Sequence, residues 1–224
     1  MPRPFDEIYA LAAERKGGPA ALEALLSQPA DPSRLRALGD DRWLSEMSKR
    51  VFQAGFNWSV VEKKWPDFER AFEGFEPARW ALASDEDLDR LLADRGIVRH
   101  AVKIRSVFEN ARFLVDLARQ TGGPAGRVFA DWPAEDYVGL LDLLKRRGAR
   151  LGGTTAQYLL RFLGKESFVL SKDVTAALIR EGVIDKPAGS KTALAKVQAA
   201  FNAWSAESGR SLTEVSQVLA RSSG

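Results

Sequence analysis

Helical periodicity restricts this chain more than any other feature. Apolar residues return at helical spacing along nearly its whole length, and runs that alternate apolar and polar residues are close to absent. The spacing therefore predicts an all-α fold with no credible strand. From Ile104 onward, Ile104, Val107, Phe108, Ala111, Leu114 and Val115 draw one broad apolar stripe. This predicts a core helix that stops at Gly122 and Gly123, because glycine enters the left-handed conformation that ends a helix. Ser84 followed by Asp85, Glu86 and Asp87 has the pattern of an N-cap with acids in the first turn, opening a helix through Leu88, Leu91 and Leu92. Asp40 is expected to cap a helix carrying Trp43, Leu44, Met47 and Val51 that stops near Gly55. Residues 121–127, TGGPAGR, read as a loop or lobe crossing, and Pro133 as the first position of a helix ending at Gly148. Ser171 and Ser190 suit caps of later helices, the second carrying Leu194, Val197, Phe201 and Trp204. A last helix from Ser211 carries Leu212, Val215, Val218 and Leu219.

With 224 residues, 45% of them hydrophobic, the chain can bury a core as one large domain or two packed lobes. The 33 Lys and Arg against 30 Asp and Glu leave a net charge of only +3. Any attraction to nucleic acid must then come from a local basic patch. The absence of cysteine excludes disulfides, thiolate metal sites and a cysteine nucleophile, and the single histidine, His100, cannot build a His-rich metal site. No metal or other cofactor is expected. No apolar run approaches the ~20 residues that span a bilayer. The start, MPRPFDEIYA, lacks the apolar stretch of a secretory signal, so a cytoplasmic monomer with no membrane partner is expected.

Residues 143–164, LLKRRGARLGGTTAQYLLRFLG, run from a helix into a glycine-bearing turn and then into a second helix, a tight αα-hairpin. Glycines permit close backbone approach, and the amides that open the second helix lack intrahelical partners and attract an anion. A DNA phosphate fits. Lys145, Arg146, Arg147 and Arg150 cluster on the same turn and would supply a sequence-independent electrostatic attraction. On these residues alone, a plain helix connection with a solvated basic end fits as well.

The hairpin is similar to that of the helix-hairpin-helix DNA glycosylases, with Ala149, Leu151, Gly152 and Ala156 at the pattern's positions and Arg150 where a glycine is usual. Two further blocks resemble the 3-methyladenine DNA glycosylase I family in order and spacing. They are QAGFNWSVVEKKWPDFERAFEGFEPARWA at residues 53–81 and DEDLDRLLADRGIVRHAVKIRSVFENARFLVDL at residues 85–117. The resemblance implies base excision: duplex DNA is kinked, a damaged nucleotide is extruded, and its N-glycosidic bond is cleaved with water. Carried over position by position, it places Gly55 and Phe56 where residues enter the duplex behind the extruded base. A helix stop followed by a core phenylalanine is the other reading of that pair. Trp58 matches the pocket tryptophan that stacks on the base, or else a buried core tryptophan. Gln53 heads this turn, either holding its geometry or as a solvated amide. Arg147, Arg150, Gly152, Gly153, Thr154 and Thr155 fall at the backbone-binding hairpin.

The likeness stops at three places. The pocket carboxylate that the family places three residues before the glutamine is here Arg50, whose guanidinium repels a cationic base and cannot accept its hydrogen bonds. Glu46, one turn earlier, either pairs with Arg50 or reaches the pocket itself. The cysteines of the family's zinc site are missing. Beyond the hairpin, aligning on Val174 puts Ser171 where the wider superfamily keeps a catalytic aspartate. Asp173 is then either a working carboxylate or an acid favoured by the helix dipole.

The resulting expectation is an all-α helix-hairpin-helix glycosylase fold with two helical lobes and a cleft between them, in one domain over residues 1–224. A central lobe covers about 40–182, with the hairpin at about 134–164, and segments 1–39 and 183–224 complete the second lobe. The expected activity is a DNA repair glycosylase acting on double-stranded DNA that contains alkylated or otherwise damaged bases, with Glu46 and Asp173 as candidate catalytic groups. The alternative is a relative that binds damaged DNA without excision.

Overall fold

Among the described residues, 2–223, the computed structural model contains fourteen α-helices, two short 3-10 turns and no strand. No helix among them is long and apolar enough to cross a membrane. The chain divides into two compact units.

The first unit comprises residues 1–31, 132–140 and 160–224. It contains α1 (Phe5–Lys16), α2 (Pro19–Glu23), α12 (Lys172–Arg180), α13 (Lys191–Ser208) and α14 (Leu212–Arg221). Its core is built on Tyr137, Phe168, Phe201 and Trp204. Phe168 stacks on Phe201 with ring centres 4.3 Å apart, and Tyr137 meets Phe168 edge-on at 4.7 Å. The N-terminal segment is tied down from both sides. Arg3 forks onto Glu181 at 2.9 and 3.0 Å, and the Trp204 indole donates to the Arg3 carbonyl at 3.0 Å. Ser171, Ser190 and Ser211 cap α12, α13 and α14 as their spacing predicts, and Ser211 forms a reciprocal capping box with Glu214.

The second unit comprises residues 32–131 and 141–159. It contains α3 (Pro32–Arg36), α4 (Asp40–Gln53), α5 (Trp58–Ala71), α6 (Pro77–Ala81), α7 (Asp85–Ala93), α8 (Ala101–Thr121) and α9 (Ala125–Asp131). The end of α10 (Tyr137–Arg147) and the start of α11 (Thr154–Leu163) also belong to it. α8 is its central element, with Ile104, Val107, Phe108, Ala111 and Leu114 buried along the predicted stripe and Gly122 ending it in the left-handed conformation. A run of aromatic rings, Trp65, Phe68, Phe72, Phe75, Trp80 and Phe108, packs beside it with neighbouring centres 4.9–6.2 Å apart. Each such ring fully removed from water contributes about 1.5–3 kcal/mol.

Ser84 caps α7 with a capping box closed by Asp87. Asp40 differs from expectation. Gly39 holds the N-cap position of α4, and the Asp40 carboxylate accepts instead from the amides of Ala125 and Gly126 at 2.9 and 2.7 Å. It thereby caps α9, a helix 85 residues away in sequence, and residues 125–127, expected as loop, are helical because that carboxylate satisfies their first amides. Pro133 likewise precedes a 3-10 turn (Ala134–Asp136), and α10 begins only at Tyr137.

Candidate functional site

The last turn of α4 carries Arg50 and Gln53 and then breaks. Ala54 leaves the helix in an extended conformation, Gly55 takes φ +68°, and the Phe56 amide closes the turn by donating to the Gln53 carbonyl at 3.1 Å. A side chain at Gly55 would meet nothing within 4 Å, so backbone conformation rather than space calls for glycine here. Asn57 caps α5 by accepting from Ser59 at 3.0 Å, which fixes the exit from the turn. Between these two fixed ends Phe56 is 45% exposed and Trp58 41% exposed. Neither is the core aromatic that the alternative readings describe.

Lys103, buried on the first turn of α8, holds this turn from beneath. Its ammonium donates to the carbonyls of Phe52 at 2.9 Å and Ala54 at 2.7 Å and lies 5.9 Å from the Phe56 ring centre. Burial, and secondly the charge of Arg150, push its pKa below the ordinary lysine value. His100 is the N-cap of α8, its Nδ1 accepting from the Lys103 amide at 3.4 Å.

Seven residues further along α8, Asn110 holds the hairpin. Fully buried, it accepts from the Ala149 amide at 2.8 Å and donates to the Ala149 carbonyl at 3.1 Å. At Gly148 a Cβ would lie 2.7 Å from the Leu144 carbonyl oxygen, so the α10 exit excludes any side chain. Arg150 stands at φ +61°, a conformation that costs a non-glycine residue about 1–2 kcal/mol, and Leu151 behind it is fully buried. Gly153, at φ +57°, and Thr154 are exposed, Gly152 and Thr155 half-buried, at the opening of α11. The basic cluster is divided in its commitments. Arg147 lies over the Phe113 ring at 5.2 Å and donates to Gln120 at 2.7 Å, and Arg146 pairs with Asp142 at 2.8 Å. Arg150 and Lys145 are exposed.

The turn and the hairpin meet directly. Tyr158 of α11 approaches Trp58 edge-on, ring centres 5.4 Å apart, and the Arg50 guanidinium lies 5.7 Å from the Trp58 centre. Arg50 is only 6% exposed and donates to Glu46 at 3.0 Å. Gln53 is buried, donates to Glu62 at 3.3 Å, and its Oε1 has no hydrogen-bond partner among the described residues. Glu46, Arg50, Gln53, Gly55, Phe56, Trp58 and the hairpin residues therefore share one unit. Asp173 belongs to the other, exposed in the first turn of α12. The described residues contain no group of three or more His, Cys, Asp or Glu side chains able to hold a metal ion. Lys103, Asn110 and Tyr158 were not singled out by pattern. The signal available for the first two was a polar residue at each end of a seven-residue interval on the buried stripe.

An all-α chain with a glycine turn and a basic two-helix turn fixed to one central helix is a helix-hairpin-helix protein. The methyladenine glycosylase family model matches residues 36–130. Over 124 residues the chain is 39% identical to DNA-3-methyladenine glycosylase 1 of Escherichia coli, covering 47% of this chain and 66% of that relative, just under two thirds of its length. It is 25% identical over 138 residues to DNA-3-methyladenine glycosylase of Haemophilus influenzae, covering 59% and 72% of the two chains. The solved 3-methyladenine DNA glycosylase I of Staphylococcus aureus shares the fold, with a TM-score of 0.50 at 21% identity over 70% of this chain and 91% of that one. Residues 36–130 are thus similar to the methyladenine glycosylase family, and the chain spans just under two thirds of the length of the Escherichia coli relative.

Proposed function

We propose that this protein is a DNA repair glycosylase, a cytoplasmic monomer that extrudes an alkylated or otherwise damaged base from double-stranded DNA and hydrolyses its N-glycosidic bond. One observation carries the reading: Lys103 and Asn110 fix the exposed Phe56–Trp58 turn and the basic hairpin to the same helix, so one duplex can engage both. The opening of α11, with Gly152, Gly153, Thr154 and Thr155, grips a backbone phosphate. Arg150 adds charge, and Arg147, tied to Gln120, braces the hairpin. Gly55 and Phe56 enter the stack, and Trp58 receives the base above Arg50 and Gln53. Glu46, in the same unit as Trp58, is the candidate carboxylate for handling the attacking water.

A second reading, a relative that binds distorted DNA without excision, is favoured by Arg50, which engages Glu46 in an ion pair. Incubation with duplex DNA treated with a methylating agent, followed by chromatography of released bases, decides between them. The glycosylase reading expects free damaged base and matching abasic sites. Tight binding with no base released favours the second.

A further inference from the structure

The first unit holds a cavity that the glycosylase reading leaves without a use. About 890 Å³ in volume, it lies where α12 passes through residues 181–190 into α13, and all of its lining residues belong to that unit. Its floor is apolar, made by Ile179, Val183, Ile184 and Pro187. Val174, Ala177 and Leu178 of α12 are buried, yet Ile179 on the same helix is left 39% exposed. The rim is basic. Lys186 and Lys196 line the cavity, and Lys191 stands between two further lining residues, Ser190 and Thr192. All three lysines are exposed, and none has an ion-pair or hydrogen-bond partner among the described residues. Against them stands the single lining carboxylate of Asp185, while Glu181 at the entry to the loop is already engaged by Arg3 and Arg180. The rim is therefore net positive.

The backbone narrows the choice of occupant. From Ile184 to Gly189 no main-chain amide or carbonyl takes part in a hydrogen bond among the described residues. A Cβ placed on Gly182 or Gly189 would meet nothing within 4 Å, so the stretch is open to an approaching chain. An extended peptide offers the matching alternation of N–H and C=O groups, whereas a phosphate backbone offers acceptors only and gains nothing from an apolar floor. The opening of α13 is also capped from within, because the Ser190 hydroxyl accepts from the Ala193 amide at 3.1 Å. We propose that this cavity docks an acidic peptide segment of a partner protein, with one large apolar side chain seated on Ile179 and its carboxylates paired with Lys186, Lys191 and Lys196. Covering the floor removes apolar surface from water, and the lysines steer encounter and turn away basic partners.

Fluorescence anisotropy of the full chain with three labelled octapeptides tests it. The first carries aspartates on both sides of a Leu-Phe pair, the second has serines in place of Leu-Phe, and the third has lysines in place of the aspartates. Saturable binding of the first is expected, with the other two weaker by about tenfold or more. The paired variant Lys186→Ser with Lys196→Ser should weaken the first peptide about tenfold and flatten its salt dependence. Ile179→Ser should weaken it about fivefold to tenfold and keep the salt dependence. Both variants should hold the affinity of the unaltered protein for a lesion-bearing duplex. Absence of saturable binding, equal binding of all three peptides, or binding that neither variant alters overturns the proposal. So does loss of duplex affinity in the lysine variant without any binding of the first peptide, which would make the cavity a nucleic-acid surface. The comparison of peptides on the unaltered protein stands even where a variant fails to fold.

Discussion

Trp58 and Tyr158 meet edge to face at an interplanar angle of 85°, although a hundred residues separate them in sequence. Trp58 opens α5 and Tyr158 lies on α11 just behind the hairpin, so the helix that would hold a phosphate also props the ring that would receive a base. Trp58→Ala is expected to weaken binding to duplex DNA carrying a lesion by about tenfold to a hundredfold, the usual worth of one base-aromatic stack. The cost to stability should stay near or below ~1 kcal/mol because the ring is 41% exposed. Fluorescence anisotropy and thermal unfolding measure the two effects. Unchanged affinity would remove Trp58 from the site.

Lys103 satisfies two carbonyl oxygens at the break after α4, those of Phe52 and Ala54. Lys103→Met keeps the length of the side chain and removes the donors. A buried acceptor left without a partner costs about 1–3 kcal/mol, so the variant should lose about that much stability by urea titration. It should also lose lesion binding beyond what unfolding explains, because the Phe56 turn is released. Full stability in the variant would show that those carbonyls have other partners.

The central helix and most caps are legible in the sequence because each depends on a few neighbouring residues. Ser84 with Asp87, and Ser211 with Glu214, close capping boxes within four residues. Asp40 was misread for the opposite reason: the amides it caps, at Ala125 and Gly126, are 85 and 86 residues distant, and no local pattern reports such a partner. At the site, spacing could propose Phe56, Trp58 and Arg50 but could not separate surface from core. Exposure does that for the two aromatics, and burial against Trp58 does it for the arginine. Tyr158 was invisible to pattern, since its meaning depends wholly on which helix it faces.

Arg150 is strained where glycine would rest, at φ +61°. Arg150→Gly removes about 1–2 kcal/mol of left-handed cost and adds about 0.5–1 kcal/mol of backbone entropy in the unfolded chain, so a net gain near 0.5–1 kcal/mol is expected. The same variant should bind DNA more weakly, with the slope of log affinity against log salt reduced by about 1. A protein that is more stable yet binds less tightly would assign the strain to function. A rise in stability with an unaltered salt slope would remove Arg150 from the phosphate contacts.

Asp87 ties α6 to α7 and supplies an acid-side signature. Its carboxylate accepts from Arg79 at 3.0 Å, lies 3.7 Å from Arg90, and accepts the Ser84 amide at 3.1 Å in the capping box. These contacts, the Arg79 bonds first, hold its pKa down to about 2 from 3.8. A carboxylate depressed in the folded state stabilises the protein fully above its unfolded value and loses that contribution as pH falls from about 4 to 2. Asp87→Asn keeps an acceptor for the Ser84 amide but not the charge, so it should destabilise by roughly 0.5–1 kcal/mol at pH 7. The difference from the unaltered protein should shrink across that acid window and vanish near its lower end. Asp85→Asn serves as the comparison, because Asp85 is 85% exposed and only loosely paired with Arg105 at 3.4 Å. Urea unfolding of the three proteins at several acid pH values measures the differences. Parallel curves for all three would show that the Arg79 pairing carries no net stability.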